Sequence, residues 1–182
     1  MNPLYILIIV TIILLMIVIW YISISNKIKR ASIKIEESIS GIDVALTKRY
    51  DILTKMIEVV KGYAKHEKET LFKVMELRKN MNIKELTEVN SNMNENLKKV
   101  DVIVENYPDL TANENFILLQ KAIVDVEEHL QAARRLYNAN VSSYNQLILS
   151  FPSNIVAKNM NAKEKEFFEA NKDAKENIKI NI

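Results

Sequence analysis

From Ile35 to Leu77 the apolar residues of this chain recur at alternating steps of four and three. They are Ile35, Ile39, Ile42, Leu46, Leu53, Met56, Val60, Tyr63, Val74 and Leu77, with Arg49, Glu67 and Thr70 in the remaining places. An α-helix gathers side chains at that spacing into one narrow stripe, and the stripe is stable only when other helices cover it. Little interrupts such helices, since the 182 residues include 2 Gly and 3 Pro. The expected class is therefore all-α. The chain has no Cys, which excludes disulfides, thiolate metal sites and cysteine nucleophiles. Its formal net charge of +2 is too balanced to argue for a nucleic-acid partner.

Ahead of the stripe, Pro3 to Asn26 carries no charged side chain, and Leu4 to Ile24 is almost wholly apolar. About 20 such residues cross the hydrocarbon core of a bilayer as a helix. Tyr5 near one end, and Trp20 with Tyr21 near the other, suit the headgroup level. A buried core helix is the poorer reading, because no polar face appears in any register. Ser23-Ile24-Ser25 has the small-x-small form of a signal cleavage site. The run is nevertheless longer than a typical h-region and no Lys or Arg precedes it, so residues 4–24 are read as a retained anchor. Lys27, Lys29, Arg30 and Lys34 follow at once. The flank richer in Lys and Arg tends to stay in the cytoplasm, which predicts a single-pass protein with a cytoplasmic C-terminal domain. The same cluster suits anionic headgroups, at about 1 kcal/mol per charge near the surface.

The expected domain organisation is the anchor, a helical bundle over residues 27–170 and a polar, frayed tail over 171–182. No strong breaker precedes Asn80 except Gly62, so the first helix is expected to run from about Lys27 to Asn80 and to be continuous with the span. Asn82 with Glu85 three residues on reads as the capped start of a second helix, ending before Tyr107-Pro108. Thr111-Ala112-Asn113-Glu114 reads as a capping box opening a third helix that ends near Leu149. A shorter fourth is expected between Ala162 and Ala170. The whole is an up-and-down four-helix bundle of three long helices and a shorter one.

Candidate chemistry is sparse. His66-Glu67 lacks the second histidine of a zinc-hydrolase motif, because position 70 is Thr. Glu-x-x-His di-iron spacing fails as well, with Tyr63 and Val126 three residues before His66 and His129. No catalytic, cofactor-binding or metal-ligating set emerges. The polar residues on the stripes are Arg49, Glu67, Asn90 and Asn140. A polar residue at such a position can fix register, whereas a long Arg or Glu can instead snorkel to the rim, the reading favoured for Arg49 and Glu67. Arg134, Arg135 and Tyr137 suggest RNA binding, but Asp125, Glu127 and Glu128 dilute the patch, and a solvated face is the better account.

One resemblance runs through most of residues 30–157. It is carried by Gly41-Ile42-Asp43-Val44, Lys48-Arg49-Tyr50-Asp51-Ile52-Leu53 and Val60-Lys61-Gly62-Tyr63-Ala64-Lys65-His66-Glu67-Lys68-Glu69-Thr70-Leu71. It continues in Tyr107-Pro108, Ala112-Asn113-Glu114-Asn115-Phe116, Ala132-Ala133-Arg134-Arg135, Tyr137-Asn138, Tyr144-Asn145 and Phe151-Pro152. In these motifs the chain resembles the LemA family. It departs in having Leu53-Thr54-Lys55 where the family often has Pro, and a Lys/Glu/Asn-rich tail after Ala157. The resemblance implies a four-helix bundle behind an N-terminal span in a bacterial inner or plasma membrane, with no settled activity and membrane metalloproteases among the partners. The expected function is a non-enzymatic membrane-tethered scaffold. The competing class is a lipid-binding or membrane-remodelling protein acting through its basic juxtamembrane segment.

Helix lengths add an expectation about assembly. A second helix of about 24 residues returning along the first would rise roughly 36 Å and reach only the level of about Met56. Ile35, Ile39, Ile42 and Leu46 would then lack intrachain cover, which predicts a homo-oligomer with that seam as its interface. A break near Gly62 would instead let the long third helix cover it.

Overall fold

The computed structural model describes residues 3–63 and 72–168. It is all-α, with five helices and no strand among the described residues: α1 (Pro3–Tyr63), α2 (Ile83–Asn106), α3 (Pro108–Thr111), α4 (Glu114–Leu149) and α5 (Ser153–Asn159). The tail over 171–182, and His66, Glu67 and Thr70, lie outside the described residues.

Among the described residues α1 is the helix long and apolar enough to cross a membrane. Its large apolar side chains from Leu4 to Ile19 are 46–67% exposed. The helix continues from this run into the heptad stripe without a break, as the absence of Gly and Pro between them dictates. It does not continue to Asn80. Residues 72–78 are not helical and Asn80 has φ 63, so Val74 and Leu77 extend the stripe in sequence alone. The side chains of α2 explain the departure. Asn92 Nδ2 donates to the Lys73 carbonyl at 3.0 Å, and its Oδ1 accepts from the Met75 N–H at 2.8 Å. Asn96 Nδ2 reaches the same Lys73 carbonyl at 3.2 Å. These amides supply partners that a helical backbone would have supplied itself.

The helix ends follow local chemistry. Asn82 caps α2 in a full capping box with Glu85. The start of α4 is capped two residues later than expected. Asn113 Oδ1 accepts from the Phe116 N–H at 3.0 Å, while the Thr111 hydroxyl turns back to the Pro108 carbonyl and closes α3. Asn113 follows an intervening turn of helix that the sequence pattern did not reveal, so the cap falls on it rather than on Thr111. Past α5, Asn161 sits in the left-handed region at φ 52. Its N–H bonds Lys158 and the N–H of Ala162 bonds Ala157, the paired closure that stops a helix there. Residues 162–168 are not helical, so the short fourth helix is α5 and not the segment from Ala162.

The chain divides into two compact units. One joins α1 up to Glu37 with Asn138–Glu166. Its buried residues are Ile28, Ile35, Val141, Tyr144, Ile148, Val156 and Ala157. Asn140 Nδ2 donates to the Lys34 carbonyl at 3.2 Å, and the Ser25 hydroxyl meets the Met160 sulfur at 3.3 Å. Later residues thus lie beside earlier ones, and α4 runs antiparallel to α1 here.

The other unit takes Ser38–Tyr137 and the chain after Glu166. Arg49 pairs with Glu127, and Asn113 Nδ2 donates to the Tyr63 hydroxyl at 2.9 Å, so α1 and α4 are antiparallel in this unit as well. Arg49 also bonds Asn90 and Asn94, early in α2, while the C-terminal end of α2 leads through α3 to Asn113. The second helix therefore rises parallel to the first, and the non-helical segment 72–78 lies between them in the chain. This reverses the direction assumed for the assembly argument. Ile42 and Leu46 are fully buried in this unit, Ile39 is half-buried, and Ile35 is buried in the other. The reason for assigning Ile35, Ile39, Ile42 and Leu46 to self-association falls away, because the seam is covered within one chain.

Candidate functional site

The most concentrated chemistry among the described residues lies where α1, α2 and α4 meet. Arg49 comes from the stripe of α1, on the face that elsewhere carries Leu46, Leu53 and Met56, and it is 3% exposed. One guanidinium nitrogen donates to Asn90 Oδ1. The other donates to Asn94 Oδ1 at 2.6 Å and stands 2.9 Å from a Glu127 carboxylate oxygen. The Glu127 contact is an ion pair and not an aligned hydrogen bond, and Arg49 Nε has no hydrogen-bond partner. Burial pushes the Arg49 guanidinium below its ordinary value; Glu127 raises it and nearby Arg134 lowers it further. A guanidinium stays protonated in proteins, so a buried one must be paired, and Glu127 with two amides does that here. Arg49 joins three helices through one planar fork. The expectation that it would snorkel to the rim is corrected.

Arg134, about two turns along α4 from Glu127, is half-buried and also shifted down, first by burial, with Glu127 acting against it. Its guanidinium lies 4.9 Å from the Phe168 ring centroid, a cation–π distance. Beside Arg49 a cleft of about 380 Å³ opens between α2 and α4. Leu97, Ile123 and Val124 give it apolar walls, Glu127, Glu128 and Gln131 a polar edge.

Of the sequence-derived residues, Arg49 and Asn90 are brought together and the others described stand apart. Asn90 joins Arg49 at the cluster, buried to 2%. Asn140 is half-buried in the other unit, on the Lys34 carbonyl. Glu67 lies outside the described residues. Lys27, Lys29, Arg30 and Lys34 are exposed along α1. The basic-aromatic group separates, with Arg135 exposed, Arg134 half-buried and Tyr137 buried, so only part of it is a solvated face.

Sequence reasoning missed Glu127, Asn94 and the Asn92/Asn96 pair. A signal was present. Asn90, Asn92, Asn94 and Asn96 alternate through the middle of a helix, where Asn is a poor helix former. Four-residue spacing then sorts them, with Asn90 and Asn94 reaching Arg49 and Asn92 and Asn96 reaching residues 73 and 75. Glu127 was hidden by its neighbours, since Asp125 and Glu128 made it look like part of a solvated acidic run. The cluster holds charge in place and offers no nucleophile. No group of three or more His, Asp or Glu able to hold a metal ion occurs among the described residues.

The LemA family model matches residues 38–182, beginning just after the basic cluster and covering the cluster around Arg49. The chain is also 28% identical over 155 residues to protein LemA of Metamycoplasma hominis, a match that takes in 82% of this chain and 71% of that protein.

Proposed function

The chain belongs to the LemA family, and on that premise we propose that it is a non-enzymatic, membrane-tethered scaffold of a bacterial inner or plasma membrane. The observation that carries this reading is the continuity of α1. One helix of 61 residues supplies both the exposed apolar run and the covered stripe of the bundle, so the bundle is held to the membrane by a stiff connection and not by a linker. The Arg49 cluster fits a structural part, because buried ion pairs with amide partners fix register better than they add stability. Partners meet the bundle at the cleft between α2 and α4, where the exposed Val124 and the wall residues Leu97 and Ile123 offer apolar contact beside two carboxylates. A membrane metalloprotease is the partner class that the family resemblance suggests. The exposed Lys27, Lys29, Arg30 and Lys34 support a cytoplasmic bundle.

Photo-crosslinking in intact membranes followed by mass spectrometry tests this. A crosslinker at Val124 should capture a small reproducible set of membrane proteins, and one at the equally exposed Val102 should not. Capture of lipid alone, or the same background from both sites, would remove the scaffold reading and favour the lipid-binding one. For topology, a cysteine replacing Glu105 should resist an impermeant maleimide in intact cells; ready labelling would reverse the orientation.

A further inference from the structure

The α4–α5 turn exposes more apolar surface than any solvated turn requires. Phe151 is 80% exposed, Leu149 59% and Ile155 51%. Their neighbours Ile148, Val156 and Ala157 are buried, so the turn is apolar on both its inner and its outer side. A turn facing water would ordinarily carry polar residues outward.

Two contacts within this unit set its height along α1. Asn140 lies at Lys34. Nine residues further along α4, a rise of about 14 Å, comes Leu149, and nine residues back along antiparallel α1 comes Ser25. The contact between Ser25 and Met160 independently puts the chain just after α5 at the same height. Ser25 is the next residue after Ile24, the end of the run with no charged side chain, and Lys27 follows two positions later. Leu149 and Phe151 therefore stand where α1 leaves the hydrocarbon core. That is the depth at which aromatic rings are favoured and at which Lys27, Lys29, Arg30 and the exposed Lys158 of α5 can meet headgroups.

We propose that the α4–α5 turn is a second membrane contact, with Leu149, Phe151 and Ile155 seated in the interfacial layer of the bilayer beside the anchor. The occupant of this apolar surface is lipid, because the surface stands at the height along α1 where lipid begins. This contact fixes the end of the bundle against the membrane as well as tethering it. The inference rests on α1 being a membrane span, and the test separates the two.

The chain has no Cys, so single-cysteine spin labels are unambiguous. Ile13→Cys, Phe151→Cys, Ile155→Cys and Leu118→Cys would be made in the full chain and reconstituted into vesicles of phosphatidylethanolamine and phosphatidylglycerol. Collisions with oxygen, which partitions into lipid, are compared with collisions with a water-soluble nickel chelate. Labels at 13, 151 and 155 should favour oxygen, with nickel collisions several-fold lower than at 118. Labels at 151 and 155 that behave like the one at 118, while 13 is deep, would overturn the turn contact and leave the anchor standing. A label at 13 in water would overturn both. Shielding at 151 from oxygen and nickel together would mean that protein covers the turn, and that too would overturn the proposal. Phe151 is so exposed that its replacement removes no core packing, and unchanged helical circular dichroism will verify this.

Discussion

Residues 4–24 and residues 35–60 belong to one helix and are both rich in Ile, Leu and Val, yet their surroundings are opposite. Leu14 is 58% exposed and Leu46 is fully buried. The first stretch is apolar on every face, which no bundle of this size could cover, and which a bilayer covers completely. The second keeps most of its apolar residues to one side, Val44 being an exposed exception, and alternates them with Lys, Glu and Asp, so it selects protein on one side and water on the other. What separates the two is the angular distribution of apolar residues together with their density, since polar and charged residues fill the other side of the second stretch. Arg49 sharpens the contrast. A guanidinium is tolerated on the buried side of the second stretch because three neighbouring groups pair with it.

The largest effect expected from this contrast comes from one substitution made in both stretches. In urea melts of the full chain in detergent, Leu46→Ala should cost about 3–5 kcal/mol, since Leu46 is fully enclosed. Leu14→Ala should leave the melt of the bundle unchanged. Similar losses for both would abolish the distinction. Arg49→Ala comes next, at about 3 kcal/mol. That is the low end for breaking a buried pair, because the Glu127 side chain keeps 32% exposure and can be hydrated. A change under 1 kcal/mol would mean that the cluster does not hold the three helices together.

Smaller effects test the helix ends. Asn113→Ala should cost about 1 kcal/mol as the loss of an N-cap, and Thr111→Ala clearly less; the reverse order would restore the cap to Thr111. The smallest concerns Asp101 on α2, whose carboxyl is raised above its ordinary value first by burial and then by Glu105. The folded state therefore binds its proton more tightly than the unfolded one. Its stabilising contribution is complete below the unfolded value and is lost as pH rises through the folded value. Asp101→Asn should accordingly stabilise at neutral pH by no more than about 0.5 kcal/mol, screened as a surface group is, and the gain should shrink as pH falls through the carboxylate range.

By itself the sequence determined the class, the anchor-like run, the Asn82 cap, the limits of α2 and the end of α4. Each of these depends on residues within a turn or two of one another, through periodicity, capping or a proline. It also contained the resemblance on which family membership was expected. Only the tertiary structure decided that residues 72–78 are not helical, because the partners of residues 73 and 75 are amides some twenty positions away. It decided that α2 runs parallel to α1, which a stripe cannot specify because an apolar face carries no direction. It decided too that Arg49 is enclosed and that Glu127 differs from the acids beside it. Those outcomes depend on desolvation and on charges and amides brought from three helices, and neither exists until the helices have packed.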